Sequence, residues 1–312
     1  MSQSEGLRAA LPLLRLRLPR LLLAVALGAL SLGSALALAG VSAWLITRAW
    51  QMPPVLDLSV AVVAVRMFGI SRGVLGYCER LVSHDAALRA AGGARSEIYR
   101  RLAYGPVSQT ARLHGGELRA RTGADVDVFA ELLVRAFVPM GVALLLGIGA
   151  TVLIALVSPA AAVVLAVSLL IAGGLAPLSS ARAARAQEHL ARQHHSNRDV
   201  AVVTALDHAP ELRVAGRLPE LILEAQKQQR DWGKALDRAA APAALAAAAP
   251  TAAIGASVIG SLIIGIEVAA STAPTTLAVL LLLPLSAFEA AGALPAAAVQ
   301  LARSRIAAAR LH

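Results

Sequence analysis

Very little in this sequence can carry a charge, present an aromatic ring or form a disulfide. Cys78 is the one cysteine among 312 residues, which excludes an intramolecular disulfide and any zinc site built on cysteines. A lone cysteine near a helix end is ordinarily a packing residue. Aromatic residues are 3% of the chain and charged residues 15%, whereas soluble domains carry about 25% charged residues. No G-x-x-x-x-G-K-[ST] run occurs, so these residues hold no loop that could cradle nucleotide phosphates. There is also no H-E-x-x-H, no Ser/His/Asp set and no pair of intramembrane carboxylates. A hydrolase is therefore disfavoured, and no catalytic residue is assigned.

What the chain does contain is apolar sequence in long blocks. Residues 21–47 and 136–181 carry no charge, and residues 239–302 carry only Glu267 and Glu289. A helix needs about 20 apolar residues to cross the hydrocarbon core. The first block holds one span, and each of the other two holds two, divided at Ser158-Pro159 and near Ser271-Thr272-Ala273-Pro274. A further span over about 55–78 is interrupted by Arg66 and Arg72. The expectation is an all-α membrane protein with six transmembrane helices. The run after Arg20 is too long for a signal h-region and lacks an A-x-A end, so no cleaved signal peptide is expected.

The net charge of +10 could point to nucleic acid, but its placement points to topology. Arg8, Arg15, Arg17 and Arg20 precede the first span, and most other basic residues fall in 80–135, 182–238 and 303–310. The short turns near 48–57, 157–159 and 267–274 hold one basic residue, Arg48. Positive loops remain in the cytoplasm, which places both termini and the two long connections there, residues 1–20 forming a cytosolic N-terminal segment. The partner implied by this distribution is the lipid bilayer, with no nucleic acid.

The two long connections are rich in Ala, Leu, Arg, Glu and Gln, which favour helix. Spans two to five are therefore expected to continue well past the membrane and to turn near 105–116 and 208–219. The tips carry Ser108, Gln109, Arg112 and His114 in the first, and Asp207, His208, Glu211 and Arg213 in the second. A rigid lever ending in a short polar element suits docking into a partner and receiving its motion. A solvated turn with no partner is the plain alternative.

On an ideal helix Arg66 and His84 fall on one face, with Gly73, Tyr77 and Arg80 within about 40° of that line. This stripe runs from a mid-membrane Arg66 to the polar run "YCERLVSHDA" at 77–86. Arg72 lies about 120° away. Ionisable groups at membrane depth face a cavity or another helix, so Arg66, Arg72 and Glu289 are read as pathway residues, with Glu289 a partner for either arginine. The plain reading of Glu289 is a pair within its own helix or a cap at a kink near Pro284 or Pro295. An isolated interfacial histidine such as His84 is ordinarily a hydrogen-bonded structural group. A neutral imidazole is equally a haem ligand, and nearby glycines leave room for a flat ligand. Asp85 and Glu79 are expected to pair with basic neighbours such as Arg89 or with residues of another chain.

These residues carry a resemblance. Six spans with two long hairpins look like the membrane domain of an ABC exporter of the type IV fold. "GGELRARTGADVDVFAELLVRAFVPM", 115–140, and "HAPELRVAGR", 208–217, resemble the segments around that family's two coupling helices. "VRMFGISRGVLGYCERLVSHDAALR", 65–89, and "LSAFEAAGALP", 285–295, are similar to the second and sixth helices of the CydC-type subunit of the transporter required for cytochrome bd assembly. The resemblance implies a transmembrane domain over 21–312, a CydD-type partner in a heterodimer, and ATP bound by paired nucleotide-binding domains. That domain would begin where this chain stops, at His312, and is expected to have been removed or to be a separate ATPase.

The same resemblance implies haem b, with His84 as the axial ligand to its iron, Arg80 as a propionate partner and Tyr77 on the shared face. Ser108, Gln109, Arg112, Glu211 and Arg213 would couple to the ATPase. The implied activity is ATP-driven export of small thiols, cysteine and glutathione, across the bacterial inner membrane, or else haem movement. In the first case haem is a regulatory or structural ligand, and in the second it is cargo. A haem-containing redox protein without transport is a rival, disfavoured because no span holds a second histidine. A structural scaffold would leave the intramembrane arginines without purpose.

Overall fold

The computed structural model describes residues 18–104, 123, 126–187 and 206–310, and among them there is helix and turn but no strand. Six helices are long and apolar enough to cross a membrane, and the chain is a multi-pass membrane protein. The first is α1, Leu18–Trp50. After the turn at 51–54 comes α2, Val55–Tyr104, 50 residues without a break. Span three, α3, covers Val126–Ala155, and span four, α4, covers Pro159–Gln187. A short helix α5, Ala209–Val214, precedes α6, Leu218–Val268, which is 51 residues long. The last span is divided into α7, Pro274–Ala287, a single 3-10 turn at Ala291–Ala293, and α8, Leu294–Arg310.

The breaks follow local chemistry. The Ser158 side chain accepts from the Ala161 N–H and Pro159 occupies the first turn of α4, where its missing N–H costs nothing. Pro274 opens α7 in the same way. Pro242 and Pro250 lie inside α6, which continues through both. Two π-helical turns, Leu133–Phe137 and Ile171–Leu175, interrupt spans three and four. Beside the first, the carbonyl of Val128 accepts from both Gln300 and Ser304 at 3.1 Å, which ties α8 to α3.

Helices α1 and α2 form the most extensive antiparallel contact, and α1 also packs on α7 and α3. Span four joins α3 to α6, and α6 closes on α7. Small residues set these separations. A Cβ at Gly28 would lie 2.7 Å from a Val142 methyl, and one at Gly260 would lie 2.6 Å from a Val164 methyl. One buried cluster joins Ala90, Ala94, Val126, Leu132 and Ala297, packing the distal half of α2 against α3 and the start of α8. A second surrounds Leu165, Leu280, Leu283 and Phe288. Only 6% of the apolar window of α2 is buried, so one long face of that helix is covered by lipid or by another chain.

The α1–α2 pairing fixes the depth of the charges. Arg20 and Arg48 bound the uncharged run of α1 and stand about 42 Å apart along it, close to a bilayer thickness with headgroups. Arg20 meets Asp85 at 3.1 Å, and the Ser31 hydroxyl donates to the Arg72 carbonyl at 2.9 Å. Arg72 therefore lies near the midpoint of the span. Arg66, expected at mid-membrane, sits about 9 Å nearer the Arg48 boundary than Arg72, about as far beyond the midpoint as Arg72 falls short of it.

Candidate functional site

Four helices converge on a cavity of about 250 Å³ between the Arg20 boundary and the midplane. Ser31 contributes from α1, Gly76, Glu79 and Arg80 from α2, Pro139 from α3, and Glu289 from the break between α7 and α8. Its remaining wall is small or aliphatic, including Gly28, Val142 and Ala290. The absence of side chains at Gly28 and Gly76 makes the space. A Cβ at Gly28 would also approach the Glu79 methylene at 3.4 Å, and one at Gly76 would stand 3.0 Å from the Ser31 hydroxyl.

The charges here are arranged unequally. Arg72 and Glu289 form an ion pair that ties α2 to the last span. This selects Arg72 over Arg66 as the partner of Glu289. Arg66 is exposed and has no ion pair or hydrogen bond among the described residues. At the Arg20 boundary, Asp85 bridges Arg20 at 3.1 Å and Arg89 at 2.8 Å, in line with the expectation for Asp85. Glu79 behaves differently. It is half-buried, borders the cavity, and has no ion-pair partner among the described residues.

The stripe read from the helical wheel is thus divided. Arg80 borders the cavity, while Tyr77 and His84 face outward and are exposed. The His84 ring places Nδ1 3.1 Å from the Arg80 carbonyl. A carbonyl only accepts, so Nδ1 is the donor in this contact, and in the neutral ring Nε2 is the nitrogen left to bind a metal. That is the usual arrangement for an imidazole that ligates a metal. A Cβ at Gly73 would meet nothing within 4 Å, so a flat group could lie along this face. His84 therefore fits the role of a haem ligand on one side. Among the described residues, no three His, Cys, Asp or Glu side chains gather to hold a metal ion.

The inward Glu79 was not read as a cavity residue from sequence. The signal that could have found it is the i, i+3 spacing of Gly76 and Glu79, which puts a carboxylate beside a gap on one helix flank.

Of the two hairpin tips, the first, with Ser108, Gln109 and Arg112, lies outside the described residues. The second is sharply built. Gly216 has φ +67°, its N–H donates to the Arg213 carbonyl, and the Arg217 N–H donates to the Leu212 carbonyl at 2.9 Å. This is a Schellman closure, for which glycine is the favoured residue. It fixes α5 against the start of α6 with no residue of α5 buried. Glu211 and Arg213 are both exposed and are not paired with each other.

Larger empty spaces lie elsewhere. One of about 490 Å³ between α3 and α4 has Thr151 as its single polar side chain, so it offers little to orient a polar solute.

No family model matches the chain. The glutathione/L-cysteine transport system ATP-binding/permease protein CydD of Bacillus subtilis is 28% identical over 223 residues, which is 71% of this chain and 39% of that protein. The corresponding CydC protein of Haemophilus influenzae is 30% identical over 141 residues, or 43% of this chain and 24% of that protein. The chain thus matches well under half the length of each of these curated relatives. By these matches and its six apolar helices, the chain is homologous to the CydD and CydC glutathione/L-cysteine transport permease subunits, at modest identity over its transmembrane-sized part.

Proposed function

We propose that this chain is the membrane part of a CydC-type subunit in a heterodimeric, ATP-driven exporter of cysteine and glutathione serving cytochrome bd assembly. Its partners are a CydD-type subunit and nucleotide-binding domains. The chain lies in the bacterial inner membrane with both termini cytosolic. The observation that carries this reading is the combination of six spans with helices of 50 and 51 residues. Each is about 75 Å long, more than twice the hydrocarbon thickness, and the second begins at a glycine-closed tip that buries none of its residues. Together with the similarity to two thiol-transport permeases, this favours a lever that receives force from ATP hydrolysis. The test is ATP-dependent accumulation of labelled L-cysteine and glutathione in inside-out vesicles holding the assembled complex. Accumulation of either thiol is expected, and absence of both removes thiols as the cargo.

Haem belongs to the same proposal, and one observation supports it: His84 is exposed with Nδ1 engaged by the Arg80 carbonyl, which leaves Nε2 free for a ligand. When bound, haem would be held by His84 through its iron, by Tyr77 on the same exposed face and by Arg80 through a propionate, and it would supply a redox-active iron. Transport of haem by the same fold is the second reading. The visible spectrum of the purified complex should show a haem band that His84→Ala removes or shifts. An unchanged band in that variant removes the ligand assignment.

A further inference from the structure

We propose that the cavity between α1, α2, α3 and the broken last span is a binding site for the α-amino-acid head of the substrate, read as a zwitterion. This deepens the thiol-export reading and rests on it. Glu79 is a half-buried carboxylate with no ion-pair partner among the described residues, and it borders the same space as Arg80, which is otherwise exposed. Glu289, the second carboxylate there, is already engaged by Arg72. A ligand entering this space therefore meets one acidic and one basic group on adjacent positions of α2, within the half of the span nearer the Arg20 boundary, where an uncompensated charge is still costly. The complementary solute carries an ammonium for Glu79 and a carboxylate for Arg80 on one small frame.

An α-amino acid satisfies both groups at once and carries no net charge of its own. The volume, about 250 Å³, suits such a head rather than a large planar ring. Cysteine has this head, and so does the γ-glutamyl end of glutathione, whose amide bond is made through the side-chain carboxyl. The surrounding wall of glycine, valine and alanine offers nothing that distinguishes a thiol from a thioether. Cys78, the one residue that could exchange with a thiol, is not among the lining residues. The site therefore selects the feature the two thiols share and leaves the sulfur unread.

The experiment is competition for labelled L-cysteine binding to the assembled transporter. S-methyl-L-cysteine keeps the zwitterion and loses the thiol. N-acetyl-L-cysteine loses the ammonium, and cysteamine loses the carboxylate. S-methyl-L-cysteine should compete within about threefold of L-cysteine, while the other two should be weaker by roughly tenfold or more, the scale of one lost charge-assisted hydrogen bond. Glu79→Gln should weaken L-cysteine by a similar factor and leave N-acetyl-L-cysteine unchanged. Arg80→Gln should do the same for cysteine relative to cysteamine.

The competitor series uses wild-type protein, so it decides the question even if a variant fails to assemble. Competition by N-acetyl-L-cysteine and cysteamine as strong as by L-cysteine overturns the zwitterion site and leaves thiol export standing. Loss of S-methyl-L-cysteine competition alongside the other two also overturns it, because the sulfur would then be what is read. If labelled L-cysteine and glutathione do not bind but labelled S-methyl-L-cysteine does, the thiol reading falls and the site stands. Binding of none of the three overturns both.

Discussion

Glu289→Leu is expected to destabilise the assembled transporter by about 3 kcal/mol, the approximate cost of one unpaired arginine near the centre of a membrane helix. The substitution leaves the Arg72 guanidinium near mid-membrane without its counter-ion. The two side chains are 47% and 37% exposed within this chain, but at that depth the surroundings are lipid or protein and screen charge poorly. Arg72→Leu should also destabilise the complex, since it leaves Glu289 without its counter-ion at the same depth. Thermal unfolding of the purified complex, carried through a double-mutant cycle, measures the coupling. The double variant should be more stable than Glu289→Leu alone, and the exchange Arg72→Glu with Glu289→Arg should restore part of the loss. Strictly additive effects would show that the pair contributes nothing as a pair.

Glu211→Arg should separate ATP hydrolysis from transport. The short helix α5 buries none of its residues, so the substitution has no core to disturb and its effect on folding should be small. Its charge reversal acts on whatever surface the tip meets. A like-charge juxtaposition costs several kcal/mol at an interface, enough for a loss of tenfold or more in productive docking. ATP hydrolysis by the complex is expected to persist while thiol accumulation in vesicles falls by about that factor. Coupling equal to wild type would remove α5 as the point where force enters. Arg213→Glu provides the opposite sign at the same tip and should fail in the same way.

Much of the architecture was legible because charge is excluded from hydrocarbon. The uncharged blocks at 21–47 and 136–181 and the nearly uncharged block at 239–302 mark five spans, and Ser158-Pro159 and Pro274 place the turns within them. The lengths of α2 and α6 were also readable, since helix formers continue beyond the apolar windows. The partner of Arg72 was legible only as a choice, because Glu289 was the one acid at that depth in the last span. The depth of Arg66 relative to Arg72 was not legible because a helical wheel carries no axial register. The Arg20–Asp85 and Ser31–Arg72 contacts supply that register. Glu79 was assigned to a basic neighbour because sequence shows a carboxylate beside arginines, whereas the helix turns it toward Gly28 instead. The two π-helical turns left no mark in composition, since they depend on how α3 and α4 meet their neighbours.

The break in the last span has a mechanical meaning. Glu289 sits in the joint between two rods, α7 and α8, and Arg72 latches that joint to the same long helix that leaves the membrane as a lever. A tilt of α2 driven from its distal end would therefore be delivered first to the joint, at the edge of the charged cavity, before it reached the rest of the bundle. Such a linkage lets one sliding helix loosen the floor of a chamber while the opposite half of the span, anchored among Leu280, Leu283 and Phe288, stays still. On that mechanics the latch does more than hold two helices together. Bending at the joint would first require the Arg72–Glu289 ion pair to separate.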